Sequence, residues 1–458
     1  MKRLVVSIPY GLAFRSVAGC GILDECARRG ASLYVYLPHL VDADLQRLVP
    51  ELPPGAKIER LQPVRHSLRF TSLKFVKQHF YLQRTALESF KLKRRKRRRE
   101  RPAFHFLAAA AERAAETMLS EKFIDRILQA ARQPFEDVYF GRLTEIKPDV
   151  VVVAKPGFVP DELPLIRAAR RYGCPVISVD TTWDNMASKR PPYLVPDGIT
   201  VWNERMRREA VEYYGFPDAR TFVAGGVQFD PFFQPSRVPP RGEFLRSLSL
   251  DPHRPLVVFT LNNPIVTPGN DEYVAGFLGA ARRGALGDAP NIVVRLHPWD
   301  RTGDYERSAG AYRWLRVERP FGTSDSRSGL ECLPTRHDVL HYASLLAHAD
   351  AVVNIASTTS LDAIASDAPV ANIAFDAIPA SFETSIARWY EFTHYRAVVE
   401  LGAVRLARSA EELWAVLREY VSDRTLDASE RARVRTEFLT FQDGQNAARV
   451  VNAIWEMS

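Results

Sequence analysis

Apolar and polar positions along the chain follow two rhythms. Leu4–Ile8 is a short apolar, β-rich run ending in Pro-Tyr-Gly, the pattern of a buried strand and its exit loop. Over Ser16–Arg29 the apolar positions Val17, Cys20, Ile22, Leu23, Cys26 and Ala27 recur at helical spacing until Gly30, and Leu33–Leu37 is again a strand. Strand, helix and strand within 37 residues predict a βαβ unit and hence a parallel sheet, because parallel neighbours need a long crossover. Lys57–Leu61 reads as a third strand. From about Leu68 to Gln133 the pattern is helical, with Leu107–Ala115 a strong helix former, and reads as an insertion or crossover. Val150–Ala154, Pro175–Val179, Gly198–Trp202 and Thr221–Ala224 predict four further strands, with helices over Leu163–Tyr172 and Glu204–Tyr214 between them. The first half is therefore expected to be a doubly wound α/β domain.

Pro231, Pro235, Pro239 and Pro240 then mark a linker, and the alternation restarts. Strands are expected at Leu256–Leu261, Asn291–Leu296, Trp314–Val317, Ala351–Ile355 and Pro369–Ile373. Helices are expected over Glu272–Arg283, Val339–His348 and Thr358–Ser366, with late helices to Met457. The pattern thus predicts two Rossmann-like halves facing a cleft: a first domain over 1–235 with a helical insertion at about 68–135, and a second over 236–435. A last helix, within 436–458, is expected to pack back towards the first domain.

Composition narrows the function classes. Of 458 residues 46% are hydrophobic and 25% charged, a globular balance, and no apolar run is long enough to span a bilayer. The formal charge of +8 has one address: Lys91–Arg101 holds nine basic residues and one acid, which leaves the rest of the chain neutral. Met1-Lys-Arg and Val17-Ala-Gly-Cys20 imitate a lipoprotein leader, but Pro9, Gly11 and Arg15 oppose insertion, and a βαβ start fits the same residues. Four cysteines without a CxxC pair indicate a reduced compartment, here the cytoplasm.

Two places in the second half are written like ligand sites. Arg295-Leu-His297-Pro298 leaves the carboxyl end of a strand, where open α/β sheets bind ligands; His297 there suits a phosphate contact or a proton shuttle, or simply caps a loop. Ser357-Thr358-Thr359-Ser360 follows another strand and starts a helix, offering hydroxyls and free N–H groups to a mono- or diphosphate, or an ordinary cap. In the first half, Asp180 to Lys189 leaves a strand's carboxyl edge: Trp183 suits stacking on a sugar or base, and Asp180, Asp184 and Lys189 suit acid–base and charge roles. A turn with a packed Trp fits equally well. Arg15 belongs to the same edge, and Gly225-Gly226 suits a close backbone approach to ligand. The basic run, including Lys93, Arg94, Arg95, Lys96, Arg97, Arg98 and Arg99, reads as attraction to an anionic membrane surface, with Tyr81, Phe90 and Phe104 as shallow anchors. No nucleic-acid motif accompanies it, so no nucleic-acid partner is expected.

These residues together resemble a bacterial glycosyltransferase of the two-domain GT-B type. His297-Pro298 and Ser357–Ser360, with Asp338, Leu346-Ala-His-Ala-Asp350, Asp362 and Pro369 around them, are similar to the donor-site motifs of CDP-glycerol glycerophosphotransferases and of capsule polysialyl- and Kdo-transferases. Trp183-Asp-Asn185, Ser188-Lys189 and Gln228-Phe-Asp230 resemble segments of surface-polysaccharide glycosyltransferases. The resemblance implies transfer of a sugar or related group from a nucleotide-activated donor to a lipid-linked or glycan acceptor in cell-envelope polysaccharide biosynthesis, at the inner face of the membrane. It implies Arg295, His297, Ser357, Thr358, Thr359 and Asp362 on the donor, and Arg15, Trp183, Asn185 and Lys189 on the acceptor. Asp184 is the first choice of base, before Asp180 and His66. No cofactor and no metal are implied, and the one DxD, Asp42-Ala-Asp44, falls in what reads as a helix. Many relatives carry Glu where Asp362 stands. A nucleotide-sugar 2-epimerase of the same architecture, and a non-catalytic basic binding protein, are the rival readings.

Overall fold

The computed structural model describes residues 1–84, 87–100, 120–264, 267, 269–287, 290–300, 305, 312–321, 330–382 and 384–458. The predicted helix over Leu107–Ala115 and the anchor Phe104 lie outside them. Two compact units result. The first comprises 1–228 with 324–333 and 445–458, the second 229–323 and 334–444.

The first unit is built on a seven-stranded, wholly parallel sheet in the order β3-β2-β1-β4-β5-β6-β7. Its strands are β1 (Arg3–Ser7), β2 (Ser32–Leu37), β3 (Lys57–Arg60), β4 (Val150–Val153), β5 (Val176–Val179), β6 (Gly198–Val201) and β7 (Thr221–Val223). Helices cover both faces, so the central strands are apolar throughout rather than alternating, and all four valines of β4 are buried. Leu4 pairs with Leu33 on one side and Val150 on the other. The strand order therefore reverses between β1 and β4, the switch point at which doubly wound sheets hold ligands. The connection from β3 to β4 contains the helices Leu68–Arg84, Glu88–Glu100, Glu121–Ala130 and Glu136–Ile146. The last helix, Asn446–Met457, packs on the helix Ile22–Arg28 and beside β4, β5 and β6.

The second unit repeats the design in a six-stranded parallel sheet, β10-β9-β8-β11-β12-β13. Its strands are β8 (Leu256–Thr260), β9 (Asn291–Arg295), β10 (Leu315–Glu318), β11 (Ala351–Asn354), β12 (Val370–Ile373) and β13 (Val404–Ala407). Val258 pairs with Val293 and with Val352, so this sheet's switch point lies between β8 and β11. One strand was not foreseen. β13 is four residues long, lies at the sheet edge and carries Arg405 at a half-exposed position, so it lacks the apolar run that marks the buried strands. All four cysteines are buried thiols outside any disulfide. No described helix is long and apolar enough to cross a membrane. The architecture is α/β with two Rossmann-like doubly wound units, and Asp42 and Asp44 fall in the helix Asp42–Leu48 as expected.

Candidate functional site

In the first unit the chemistry gathers where β1, β4 and β5 end. The turn after β4 is Lys155-Pro156-Gly157. Gly157 has φ +77, and a Cβ there would sit 1.7 Å from the Leu194 carbonyl oxygen, so only glycine lets this turn close against the 193–194 backbone. The turn fixes Lys155, which is buried, with its ammonium 5.4 Å from the centre of the Tyr10 ring and 3.4 Å from Asn185 Oδ1. Burial lowers its pKa, and the nearby Asp180, Asp184 and Glu162 pull the other way. Asp180 follows β5 and is also buried. Its Oδ1 accepts from Asn185 Nδ2 and from the Thr182 N–H, while Oδ2, out of water, meets no donor among the described residues. Burial pushes its carboxyl up to about 6, against the pull of Lys155 and Lys189. Glu162, wholly buried, accepts from the Ala154 N–H and is pushed by burial up to about 8. Tyr10 Oη lies 2.9 Å from Thr181 Oγ1.

The structure reorders the residues expected here. Asp184, the first choice of base, is committed: Oδ1 is 2.9 Å from Lys189 Nζ and accepts from Thr182 Oγ1, and Oδ2 accepts from Ser188 Oγ at 3.2 Å. Lys189 is thereby Asp184's partner. Asn185 has no exposed surface and works as a bridge between Lys155 and Asp180 rather than as an acceptor contact. Trp183 is buried too, the packed alternative to a stacking platform. Arg15, after β1, donates through Nη2 to Gln228 Oε1 at 3.0 Å, while its buried Nε meets no acceptor among the described residues. His66, half-buried, is held by burial down to about 4. Gly225, expected to face a ligand, is instead approached by Asn446, whose Nδ2 donates to the Gly226 carbonyl at 3.0 Å.

The helical insertion grips this same segment. Tyr81 Oη donates to the Met186 carbonyl at 2.9 Å and Lys93 Nζ donates to the Ser188 carbonyl; from the helical region after β6, Tyr214 Oη donates to the Asn185 carbonyl at 2.9 Å. Tyr81 and Phe90 are buried, edge to face at 5.6 Å, so they anchor the helix to its own unit and not to a lipid surface. Lys91, Arg95 and Arg99 are exposed, whereas Lys93, Arg94 and Lys96 are half-buried. The side chains of Arg97 and Arg98 lie outside the described ones.

In the second unit, His297 and the Ser357–Thr359 turn leave the carboxyl edge from β9 and β11, with β8 between them. Two strand spacings separate those strands by about 10 Å. His297 Nδ1 accepts from the Trp299 N–H at 3.1 Å, which leaves the ring proton on Nε2. Burial holds the imidazole down to about 4, opposed among the described residues by Asp300, so at neutral pH it is an uncharged N–H donor. Ser357 to Thr359 are half-buried, and Ser357 Oγ accepts from the Thr359 N–H at 3.3 Å. Ala356 before them has φ +35, a strained value for a residue with a side chain, and turns the chain sharply into the helix Thr359–Ala365. Arg295 and Asp362, expected on the donor, already have partners within their own unit. Arg295 is buried and donates to Glu318 Oε2 at 2.7 Å, with its guanidinium 4.8 Å from the Tyr342 ring centre. Burial raises Glu318, but His341 and Arg295 outweigh it and hold the carboxyl below its ordinary range. Asp362 is buried and accepts from Tyr342 Oη at 3.1 Å.

Sequence reasoning missed the residues that brace these loops. Asn262, after β8, donates to the Ile355 carbonyl at 2.5 Å and ties the two strands of the switch point together. Ser360, the fourth hydroxyl of the cluster, belongs to a buried network with Asn354, Asn372 and Tyr395 that locks the ends of β11 and β12. Polar residues inside apolar strands, Asn354 and Asn372, were the available signal. A cavity of about 610 Å³ lies between the helices Asn270–Arg282 and Ala410–Ser422, walled by Phe277, Phe375 and Trp414; none of the expected donor residues lines it. Among the described residues no three His, Cys, Asp or Glu side chains group as a metal site.

No family model matches the chain, and no curated protein is similar to it in sequence. Solved structures do resemble it over its whole length. UDP-GlcNAc 2-epimerase from Methanocaldococcus jannaschii has a TM-score of 0.58 at 13% identity, covering 100% of both chains. The Neisseria meningitidis UDP-GlcNAc 2-epimerase bound to UDP-GlcNAc has a TM-score of 0.56 at 12% identity, again over 100% of both. A glycosyltransferase from Rickettsia africae has a TM-score of 0.52 at 9% identity, covering 100% of this chain and 98% of that one. At such identities the likeness establishes the fold, GT-B, and not the reaction.

Proposed function

We propose that this chain is a nucleotide-sugar-dependent glycosyltransferase that moves a sugar, or a related group, to a lipid-linked or glycan acceptor of the cell envelope. The observation that carries the reading is the buried Asp180 at the carboxyl edge of the first sheet, one oxygen of which meets no donor among the described residues, linked through the Asn185 amide to the buried Lys155. An acceptor hydroxyl satisfies that oxygen and gives up its proton to it. The uncharged His297 N–H and the hydroxyls of Ser357 to Thr359 meet the departing phosphate in the second unit, without a metal ion. A 2-epimerase is the second reading, because solved enzymes of that activity share the fold.

One experiment separates the two. The protein is incubated with UDP-, CDP-, CMP- and GDP-sugars, with and without lipid-linked or oligosaccharide acceptors and with and without EDTA, and followed by ³¹P and ¹H NMR. Acceptor-dependent release of the nucleotide, unaffected by EDTA, is expected. A new epimer formed in the absence of any acceptor decides for the isomerase. The nucleotide that is released should also raise the melting temperature, by linkage about 2.7 kcal/mol of stabilisation at a hundred times its Kd.

The basic helix Glu88–Glu100 supplies a place for the enzyme at the cytoplasmic face of the membrane, as a peripheral protein. Its Arg95 and Arg99 are exposed, whereas Lys93 and Tyr81 are engaged with the segment after β5. Arg95→Gln/Arg99→Gln is expected to weaken binding to phosphatidylserine vesicles by about 30-fold, at about 1 kcal/mol per basic residue. Co-sedimentation measures it, and equal binding by the variant removes the membrane role from this helix.

A further inference from the structure

We infer that Lys155 is a positioning residue which, acting through the Asn185 amide, fixes the orientation and charge of the Asp180 carboxylate across the ends of β4 and β5. The inference rests on the reading of Asp180 as the base. Among the described residues Lys155 forms no direct ion pair, although it is buried; its hydrogen-bond partner is a neutral amide oxygen at 3.4 Å. A buried ammonium is costly unless its field is answered nearby. The answer arrives through one side chain. Asn185 accepts from Lys155 at Oδ1 and donates to Asp180 Oδ1 from Nδ2, so its amide dipole lies head to tail between cation and anion. Flipping the amide would turn a donor towards Lys155 and an acceptor towards the carboxylate, so the two charges specify one orientation.

The bridge is itself held. Tyr214 Oη donates to the Asn185 carbonyl and Trp202 Nε1 donates to the Asp180 carbonyl, each at 2.9 Å, so the backbones at both ends are pinned from β6 and the helix region beyond it. With Oδ1 occupied by Asn185 and the Thr182 N–H, only Oδ2 is left for a substrate proton. Other titratable groups act on Asp180 or on Lys155 from every element around them. Tyr10 comes from the β1 exit and Glu162 from the turn after β4. Asp184 and Lys189 come from the segment after β5, and Glu209 and Tyr214 from the helical region after β6. Of the two cations that favour the ionised carboxylate, Lys189 is partly exposed and already paired with Asp184, while Lys155 is buried and, among the described residues, in no direct ion pair.

The test reads the carboxyl directly. In protein carrying ¹³C-labelled aspartate, the Asp180 signal is assigned by its loss in Asp180→Asn and titrated by NMR. Lys155→Met is expected to move its midpoint upward by about one pH unit or more, because a favourable positive charge is removed. Asn185→Leu, which leaves Lys155 in place and breaks the bridge, is expected to move it the same way by less, and serves should Lys155→Met fail to fold. A folded variant of either kind whose Asp180 midpoint stays at the wild-type value overturns the inference. The turnover assay is scored separately. If the midpoint moves and turnover below neutrality does not follow it, Lys155 is placed correctly and the role of Asp180 as base is wrong.

Discussion

Asp180→Asn is expected to lower turnover by about 10²–10⁴-fold, the range for loss of a positioned general base. The substitution keeps the volume and keeps an oxygen for Asn185 to donate to, so donor binding should change little and the loss should fall on kcat. Asp184→Asn is the paired measurement. Asp184 is partly exposed and joined to Lys189, and an exposed pair contributes about 1 kcal/mol or less, so a loss within about tenfold is expected there. The opposite ranking would return the role of base to Asp184.

The environment of Asp180 also sets a pH profile. Burial pushes the carboxyl up to about 6, with Lys155 and Lys189 holding it from going further. The base form therefore prevails at pH 7, and kcat/KM should fall about tenfold per unit as the pH drops below about 6. The effect on stability has the opposite sign. An unfolded Asp titrates near ~3.9, so the folded state binds this proton more tightly than the unfolded chain does. The penalty for burying the carboxylate is then fully present above about 6 and is relieved as the pH falls through that value towards 4. Acidification across this window lowers activity while removing one source of instability.

The sheets were legible because parallel strands buried on both faces read as unbroken apolar runs, and Val150–Val153 and Leu256–Thr260 have no other reading. β13 was not legible, because an edge strand with Arg405 in it loses that signature. For the site, the spacing of residues placed the candidates at the carboxyl ends of strands but left the partners of individual side chains unread. Which of Asp180 and Asp184 is saturated depends on Thr182, Ser188 and Lys189 folding back on one of them, and nothing in the spacing distinguishes the two. Arg295 looked like a phosphate ligand because its partner, Glu318, comes from the neighbouring strand 23 residues later. Lys155 carried no motif at all. It acquires meaning only through the β1/β4 switch point, which requires strand order, and through Gly157, whose close approach to Leu194 fixes the turn.

His297→Ala is expected to reduce turnover by about 10²–10³-fold, the effect of removing one preorganised donor from a developing anion. The tautomer decides the effect. The Trp299 N–H occupies Nδ1, so the ring keeps its proton on Nε2, and burial keeps the ring uncharged at neutral pH. An uncharged donor contributes most when negative charge builds on the phosphate as its bond to the sugar breaks, and less in the ground state. The loss should therefore appear in kcat, with Kd for the free nucleotide changing by less than about tenfold, as expected for an interaction made chiefly in the transition state. His297→Gln, which retains an N–H donor on a side chain of similar reach, should recover part of the turnover, whereas a proton shuttle would not be rescued this way. Steady-state kinetics with the donor identified by NMR, together with calorimetric binding of the nucleotide, measures both quantities. Full turnover in the Ala variant would remove His297 from the site and leave the Ser357–Thr359 turn as the remaining anion contact on that edge.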